Sequence, residues 1–273
     1  MTASSPEFRR GIVGVPDYRV DTIGPKQARA ALVIPVLNEN GRLTGQLAQL
    51  QSVQPPVDVV IADGGSTDGS TGLEGLRDLG VTALLTKLGD GKLSAQLRMA
   101  FRYCLDEGYE SVITMDGNGK DGADGVFGIL SALEDGFDFV QGSRFVKGGT
   151  AVNTPASRYL AIRLVHAPLT SVGARAWYTD TTNGFRGHSR RLLEDPRVDP
   201  FRAEFDTYEL LAYLPIQASR LGYEVGETPV SRSYPKGATP TKIHGFGAQL
   251  ALLKILGNAV RGRYAPTASR NGG

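Results

Sequence analysis

Three hydrophobic runs in this chain each stop in acidic or amide side chains: Ala31-Leu-Val-Ile-Pro-Val-Leu-Asn-Glu39, Val59-Val-Ile-Ala-Asp-Gly-Gly-Ser-Thr-Asp-Gly-Ser70 and Val112-Ile-Thr-Met-Asp-Gly-Asn118. Runs of β-branched residues that end this way are what the carboxyl ends of parallel strands look like, and ligands of open α/β sheets collect just beyond such ends. The acidic positions lie 24 and then 53 residues apart, which leaves room for a crossover helix after the first strand and for more than one element after the second. An α/β fold follows, with a nucleotide-sized pocket at one edge of a mixed, mostly parallel sheet.

The chain of 273 residues, 41% hydrophobic and 21% charged, can bury a full core in one large domain or one domain with an appendage. Cys104 is the only cysteine, so no intrachain disulfide can form. Residues 1–30 are polar and lack the apolar stretch of a signal peptide, which predicts a cytosolic location. A net charge of +2 argues against a nucleic-acid binder. The charge is nevertheless uneven: from Thr228 onward there are seven Lys or Arg and no Asp or Glu. That bias points to phosphate groups or an anionic membrane surface as partner, or, for Arg261, Arg263 and Arg270, to a solvated tail.

The apolar pattern predicts strands at 31–37, 57–62, 81–86, 111–115 and 137–141, and helices at 39–53, 67–79, 92–107 and 123–135. Beyond these it predicts helices at 156–173, 189–194 and 204–221, and short strands at 181–187 and 223–230. Residues 1–28 carry no periodic signal and read as an arm. A final apolar helix at 244–260 holds Gln249, Lys254 and Asn258 and is too short to cross a bilayer. It either packs on the domain or lies against lipid headgroups, flanked by Arg261 and Arg263.

The three runs are followed in order by Val140-Gln-Gly-Ser-Arg-Phe-Val-Lys-Gly-Gly149, Thr182-Asn-Gly-Phe-Arg186, Tyr208-Glu-Leu-Leu211 and Pro229-Val-Ser-Arg-Ser-Tyr234. This ordered series, from about residue 30 to 243, resembles family 2 glycosyltransferases, and within them the polyprenyl-phosphate mannose and glucose synthases and their bacterial relatives. The resemblance implies a GT-A catalytic domain over 29–243 and a C-terminal helix and basic tail over 244–273. It implies inverting transfer of a hexose from a UDP- or GDP-sugar to polyprenyl phosphate, or to a soluble small-molecule or glycan hydroxyl. Peripheral contact with the inner face of the membrane through the C-terminal region would accompany a lipid acceptor.

Residue by residue, the resemblance places Pro35, Leu37, Asn38, Glu39, Asp63 and Lys92 around the nucleotide. Gly64 stands where many relatives have a second Asp, which leaves uracil or guanine open. Asp116, Gly117 and Asn118 occupy the Asp-X-Asp position, where two carboxylates hold Mg²⁺ or Mn²⁺ against the diphosphate. Here the second is an amide, which brings no charge, so a weakened metal site is expected; Asp121 or Asp124 could restore a carboxylate. Lys120 stands where some relatives have another metal ligand and can meet diphosphate as a point charge. Gly184 and Arg186 are expected at the sugar wall, and Arg144, Arg158, Arg232 and Lys236 at phosphates, with Lys242 on the same Gly/Pro-rich stretch. A hydroxyl acceptor requires a base, for which Asp206 and Glu209, three residues apart on one predicted helical face, are the foremost candidates; a phosphate acceptor does not.

Other classes lack their motifs. No Gly-X-Gly-X-X-Gly follows the first strand, Gly91-Lys92 precedes Leu93 rather than Ser or Thr, and His166, His188 and His244 sit in no nucleophile motif. A sugar nucleotidyltransferase and a non-catalytic nucleotide-sugar binder remain as alternatives.

Overall fold

The computed structural model of the chain describes residues 5–235 and 245–266, with side chains from 247 in the last segment. Residues 1–28 are expected as an arm, but within 5–28 β1 (Glu7–Arg9) and β2 (Tyr18–Thr22) extend the main sheet, β2 lying antiparallel along a later strand with Tyr18 opposite Lys87. Next come β3 (Ala30–Val36), α1 (Gly41–Val53) and β4 (Asp58–Asp63), then α2 (Leu73–Asp78), β5 (Val81–Lys87), α3 (Leu93–Asp106), β6 (Ser111–Thr114) and α4 (Gly125–Glu134). The second half contains β7 (Phe139–Ser143), β8 (Thr150–Val152), α5 (Ala156–Ala161), a π-helical segment (Ile162–His166) and α6 (Ala167–Ala174). It ends with β9 (Arg186–Ser189), α7 (Arg190–Glu194), α8 (Glu209–Arg220), β10 (Val225–Pro229), β11 (Ser231–Ser233) and α9 (Gly245–Val260).

Nine strands form one sheet in the order β1-β2-β5-β4-β3-β6-β9-β7-β10, and β11 pairs with β8 in a small second sheet. The central block β5-β4-β3-β6 is parallel, as the three runs predict, and β9 runs antiparallel between β6 and β7. Helices cover both faces, which is why β3 and β4 read as continuous apolar runs. The pleat still sorts their side chains: Ala31, Val33 and Val60 join a core with Phe101, Leu214 and Leu256, while Leu32, Ile34 and Ile61 join one with Leu43, Leu47 and Ile129.

Two predicted helices are shorter for a visible reason. The 67–79 helix starts only at Leu73, because Asp63 Oδ1 accepts from the amides of Gly65 (3.2 Å) and Ser66 (2.9 Å) and Asp68 Oδ1 from that of Ser70 (3.0 Å), holding a run of turns. The 204–221 helix starts only at Glu209, because the carbonyls of Asp206 and Thr207 accept from the amides of Lys92 and Ser94 at the start of α3, both at 2.8 Å. The last helix is packed: α9 lies against α6 and α8, with Leu256 and Ala259 in the core. Among the described residues no helix is long and apolar enough to cross a membrane.

His188 is buried in β9 between the rings of Phe101 (5.1 Å) and Phe139 (5.5 Å), with Nδ1 3.2 Å from the Val112 carbonyl. Burial, with the nearby Arg186 charge, brings its pKa down to about 3. Below the ordinary value near 6.5 the unfolded chain therefore binds a proton that the folded chain refuses, so stability falls with pH from there toward about 3. At two pH units below the ordinary value the loss is about 2 to 3 kcal/mol. Urea titrations at neutral pH and near pH 4.5 are expected to show this loss in the wild type and a smaller one in His188→Phe; equal acid losses would refute the assignment.

Candidate active site

The loops that follow β3, β4 and β6 are shaped by short-range polar contacts. Asn38 and Asn40 both take positive φ (53° and 50°), which Asn tolerates better than most residues. The Asn38 amide donates to Ser66 Oγ at 2.9 Å, its side-chain oxygen accepts from the Thr67 amide at 2.8 Å, and the Asn40 amide donates to Asp68 at 2.8 Å. Asp68 thus staples two loops. Gln96, buried on α3, donates to the carbonyls of both Val36 and Ala62 at 2.8 Å and pins the ends of β3 and β4 side by side. Glycine is needed after β6, since a Cβ at Gly117 would stand 2.7 Å from Val36 Cγ1.

These ends open into a cavity of about 1300 Å³. Its sheet side carries Pro35, Leu37, Asn38, Glu39, Gly64, Lys92 and Gln96, continued by Asp116, Gly117, Asn118, Lys120, Gly184 and Arg232. Its helical side carries Arg158, Ile162, His166 and Thr170 from the α5–α6 region and Leu252, Ile255 and Leu256 from α9. A charged sheet side thus meets a helical side whose α9 face is apolar.

Arg232 is the electrostatic centre of the sheet side. Only 6% exposed, it donates to Asp121 Oδ2 at 2.5 Å, Asp116 Oδ2 at 2.9 Å and Asn183 Oδ1 at 3.2 Å. Burial would raise the Asp116 carboxyl, but the charge and hydrogen bond of Arg232, helped by Lys120, outweigh it and hold Asp116 below the usual carboxylate range. Asp121 lies deeper, its Oδ1 without a partner; burial outweighs Arg232 there and pushes its pKa up to about 6. Tyr234 gathers the other cations. Its hydroxyl accepts from Arg158 (3.1 Å) and Arg144 (3.2 Å), and Lys120 Nζ lies 5.3 Å from its ring. Burial raises the Tyr234 phenol, yet Arg232, Arg144 and Arg158 bring it below its ordinary value.

Most of the residues expected at a ligand do line this cavity, and five do not. Asp63 faces its own turn, accepting from Ser66 Oγ at 2.6 Å, and only its neighbour Gly64 reaches the cavity. Arg144, expected at phosphate, forms a buried fork on Asp180, with Nε–Oδ2 at 2.6 Å and Nη2–Oδ1 at 2.8 Å. Arg186, expected at the sugar wall, is fully buried and braces the carbonyls of Asn183, Leu211 and Thr181 at 3.0, 2.7 and 2.8 Å. Glu209 turns back to accept from the Thr207 amide and hydroxyl, both at 2.6 Å. Asp206 sits before α8 rather than on it, half exposed, 4.0 Å from Arg98. Lys236 and Lys242 lie outside the described residues, as do His244 and Arg270.

The donor set expected for Mg²⁺ or Mn²⁺ does not suit a dication. Asp116 already accepts from Arg232, the Asn118 amide turns Nδ2 toward Asp116 at 3.3 Å, and the Asn118 side-chain oxygen accepts from the Lys120 amide at 3.3 Å. Neither Asp121 nor Asp124 lines the cavity, and the other carboxylate that does, Glu39, meets Arg42 at 3.0 Å. Among the described residues no three His, Cys, Asp or Glu gather as metal ligands.

The fold is that of GT-A glycosyltransferases. Glucosyl-3-phosphoglycerate synthase from Mycobacterium tuberculosis, solved with Mn²⁺, uridine diphosphate and glucosyl-3-phosphoglycerate, superposes with a TM-score of 0.62 at 16% identity, over 88% of this chain and 81% of that one. No family model matches the chain. Among curated proteins, polyprenol monophosphomannose synthase of Mycolicibacterium smegmatis is 27% identical over 89% of this chain and 91% of its own length. Undecaprenyl-phosphate mannosyltransferase of Micrococcus luteus is 30% identical over 74% and 83%. The chain belongs to this family of polyprenyl-phosphate hexose transferases and is a glycosyltransferase.

Gly184 tests the geometry around Asp116 directly. A Cβ there would stand 2.5 Å from Asp116 Oδ1, so the carboxylate would have to shift from the position in which its Oδ2 meets Arg232. Gly184→Ala is expected to lower the turnover number about 100-fold, the scale for misplacing a reacting group by about 1 Å, with the melting temperature nearly kept. Wild-type turnover would show that Asp116 is free to move.

Proposed function

We propose that the protein transfers a hexose from a nucleoside diphosphate sugar to polyprenyl phosphate with inversion at the anomeric carbon. The observation that carries this reading is the two-sided cavity, with Asp116, Lys120 and Arg232 on its sheet side, and Ile162, Leu252, Ile255 and Leu256 on its helical side, where Arg158 adds a cation. A soluble sugar acceptor has no use for the apolar residues of the helical side.

In this reading Pro35, Leu37, Asn38, Glu39 and Lys92 hold the nucleoside and Gly184 lets the sugar approach Asp116. Arg158 receives the acceptor phosphate. A phosphate oxygen of the acceptor attacks the anomeric carbon, the bond from that carbon to the diphosphate oxygen breaks, and the electron pair leaves with the nucleotide. No proton moves, which agrees with the absence of Asp206 and Glu209 from the cavity lining. The nucleophile is already an anion and needs only positioning and charge compensation.

A lipid acceptor also accounts for the outer face of the helices that line the cavity. Leu164 and Val172 are 69% and 73% exposed there, with Leu160, Val165 and Leu169 exposed along the same segment, and Trp177, just past the end of α6, is 79% exposed. Clustered exposure of this kind suits the headgroup boundary of a bilayer, with exposed Arg175, Lys254, Arg261 and Arg263 available to anionic lipid. The protein is then peripheral on the membrane.

The test is to incubate the purified chain with UDP-glucose or GDP-mannose and vesicles containing polyprenyl phosphate, reading the glycolipid by mass spectrometry. Hexosyl phosphoryl polyprenol is the expected product. Transfer only to soluble hydroxyl acceptors, or formation of sugar nucleotide from nucleoside triphosphate and sugar phosphate, would overturn the reading.

A further inference from the structure

We infer that in this chain Lys120 and Arg232 compensate the charge of the donor diphosphate, so that nucleotide binding does not require a divalent cation. The inference rests on the donor reading above and adds to it the means by which the diphosphate is held.

Beyond β6, three alternate residues line the cavity: Asp116, Asn118 and Lys120, in the order carboxylate, amide, ammonium. The carboxylate is already paired, because Arg232 meets it at 2.9 Å while being anchored to Asp121 at 2.5 Å. The amide presents its nitrogen toward Asp116, and its oxygen is engaged with the Lys120 backbone. The ammonium is kept near the cavity by its backbone as well as by Tyr234: the Ser233 amide donates to the Lys120 carbonyl at 2.8 Å, and residues 121 and 232 form a β-bridge. A dication placed here would meet one carboxylate already paired, one neutral oxygen and the repulsion of two fixed cations.

An incoming diphosphate meets the opposite situation. Lys120 and Arg232 both line the cavity, as does Arg158, whereas Asp121, which shares Arg232 with Asp116, is turned away and buried. Fixed cations stabilise charge as it develops on a leaving diphosphate in the way a bound metal ion does. When the bond to the anomeric carbon breaks, the pair passes to the diphosphate oxygen beside these side chains. No further reactant is consumed.

Titration calorimetry of the full chain with UDP and with GDP, in EDTA and in excess MnCl₂, separates the alternatives, with the Mn²⁺ resonance of the same solutions reading metal capture directly. The wild type is expected to bind one of the diphosphates equally well in both media and to leave the Mn²⁺ signal unchanged. Lys120→Gln should weaken binding in EDTA by about 10- to 100-fold, the scale of one charge-assisted contact, and Lys120→Arg should keep it. Asn118→Asp/Lys120→Gln should bind the diphosphate only with Mn²⁺ and remove the Mn²⁺ signal, which also shows that the variant is folded. Loss of wild-type binding in EDTA, or wild-type affinity of Lys120→Gln in EDTA, overturns the inference while leaving the donor reading intact. Failure of UDP and GDP to bind in either medium overturns both.

Discussion

Arg158→Ala is expected to cut turnover on a polyprenyl-phosphate acceptor by about 30-fold to several-thousand-fold, while Asp206→Asn and Glu209→Gln stay near the wild-type rate. The first figure follows from losing a charge-assisted phosphate contact, about 2 to 5 kcal/mol where the site is closed to water. Arg158 suits this comparison better than Arg232, whose removal would also strand Asp116 and Asp121. The carboxylate variants should be mild because Glu209 is held by the Thr207 amide and hydroxyl and Asp206 lies half exposed outside the cavity lining. A hydroxyl nucleophile would reverse the pattern, since removing a general base costs roughly 10²- to 10⁴-fold. Steady-state rates of the three variants on one acceptor decide it: a wild-type rate for Arg158→Ala together with a collapse of either carboxylate variant would exclude the phosphate acceptor.

Asp180→Ala is expected to destabilise the fold by about 3 to 5 kcal/mol, because it leaves the Arg144 guanidinium buried and unpaired. Both side chains are almost completely enclosed, and the pair shares two hydrogen bonds of 2.6 and 2.8 Å. For a chain of this size the loss corresponds to a fall in melting temperature on the order of 10 °C. Replacing both residues with apolar ones should recover much of it, since the desolvation of two charges is relieved at once. The effect reaches the cavity, because Arg144 also donates to the Tyr234 hydroxyl that Arg158 uses. Calorimetric unfolding of the single and double variants measures this; a single variant as stable as the wild type would show that Arg144 finds water or another partner.

The parallel block was legible because its strands are buried on both faces, which writes long apolar runs directly into the sequence. Its strand ends were legible because Asn38, Asp63 and Asp116 interrupt those runs where the chain must turn. The short strands β1 and β2 were not, since three and five residues carry no period and β2, on which β1 pairs, is held by β5, more than 60 residues away. Arg144 and Arg186 show a different limit. Their motifs place an arginine at a strand end, but whether it meets ligand or protein depends on Asp180 and on the carbonyls of Thr181 and Leu211, which only the folded chain brings near. Gln96 had the same standing: on a helix read as apolar packing it is the clamp between two strand ends. No local signal marks it.

The π-helical turn at 162–166 has a consequence for how tolerant this region is to length changes. Arg158, Ile162, His166 and Thr170 all reach the cavity at a constant spacing of four residues. In an unbroken α-helix that spacing would drift by about 40° per step, carrying the last of the four away from the first by about 120°. The wider turn slows the drift, so one ridge of side chains follows the cavity wall along its whole length. Deleting a single residue from this turn would rotate the rest of the helix, to Ala174, by about 100°, swinging Thr170 off the wall and carrying Val172 off the outer face with it. The inner and outer faces of this rod are therefore set by one phase, and neither can be re-registered alone.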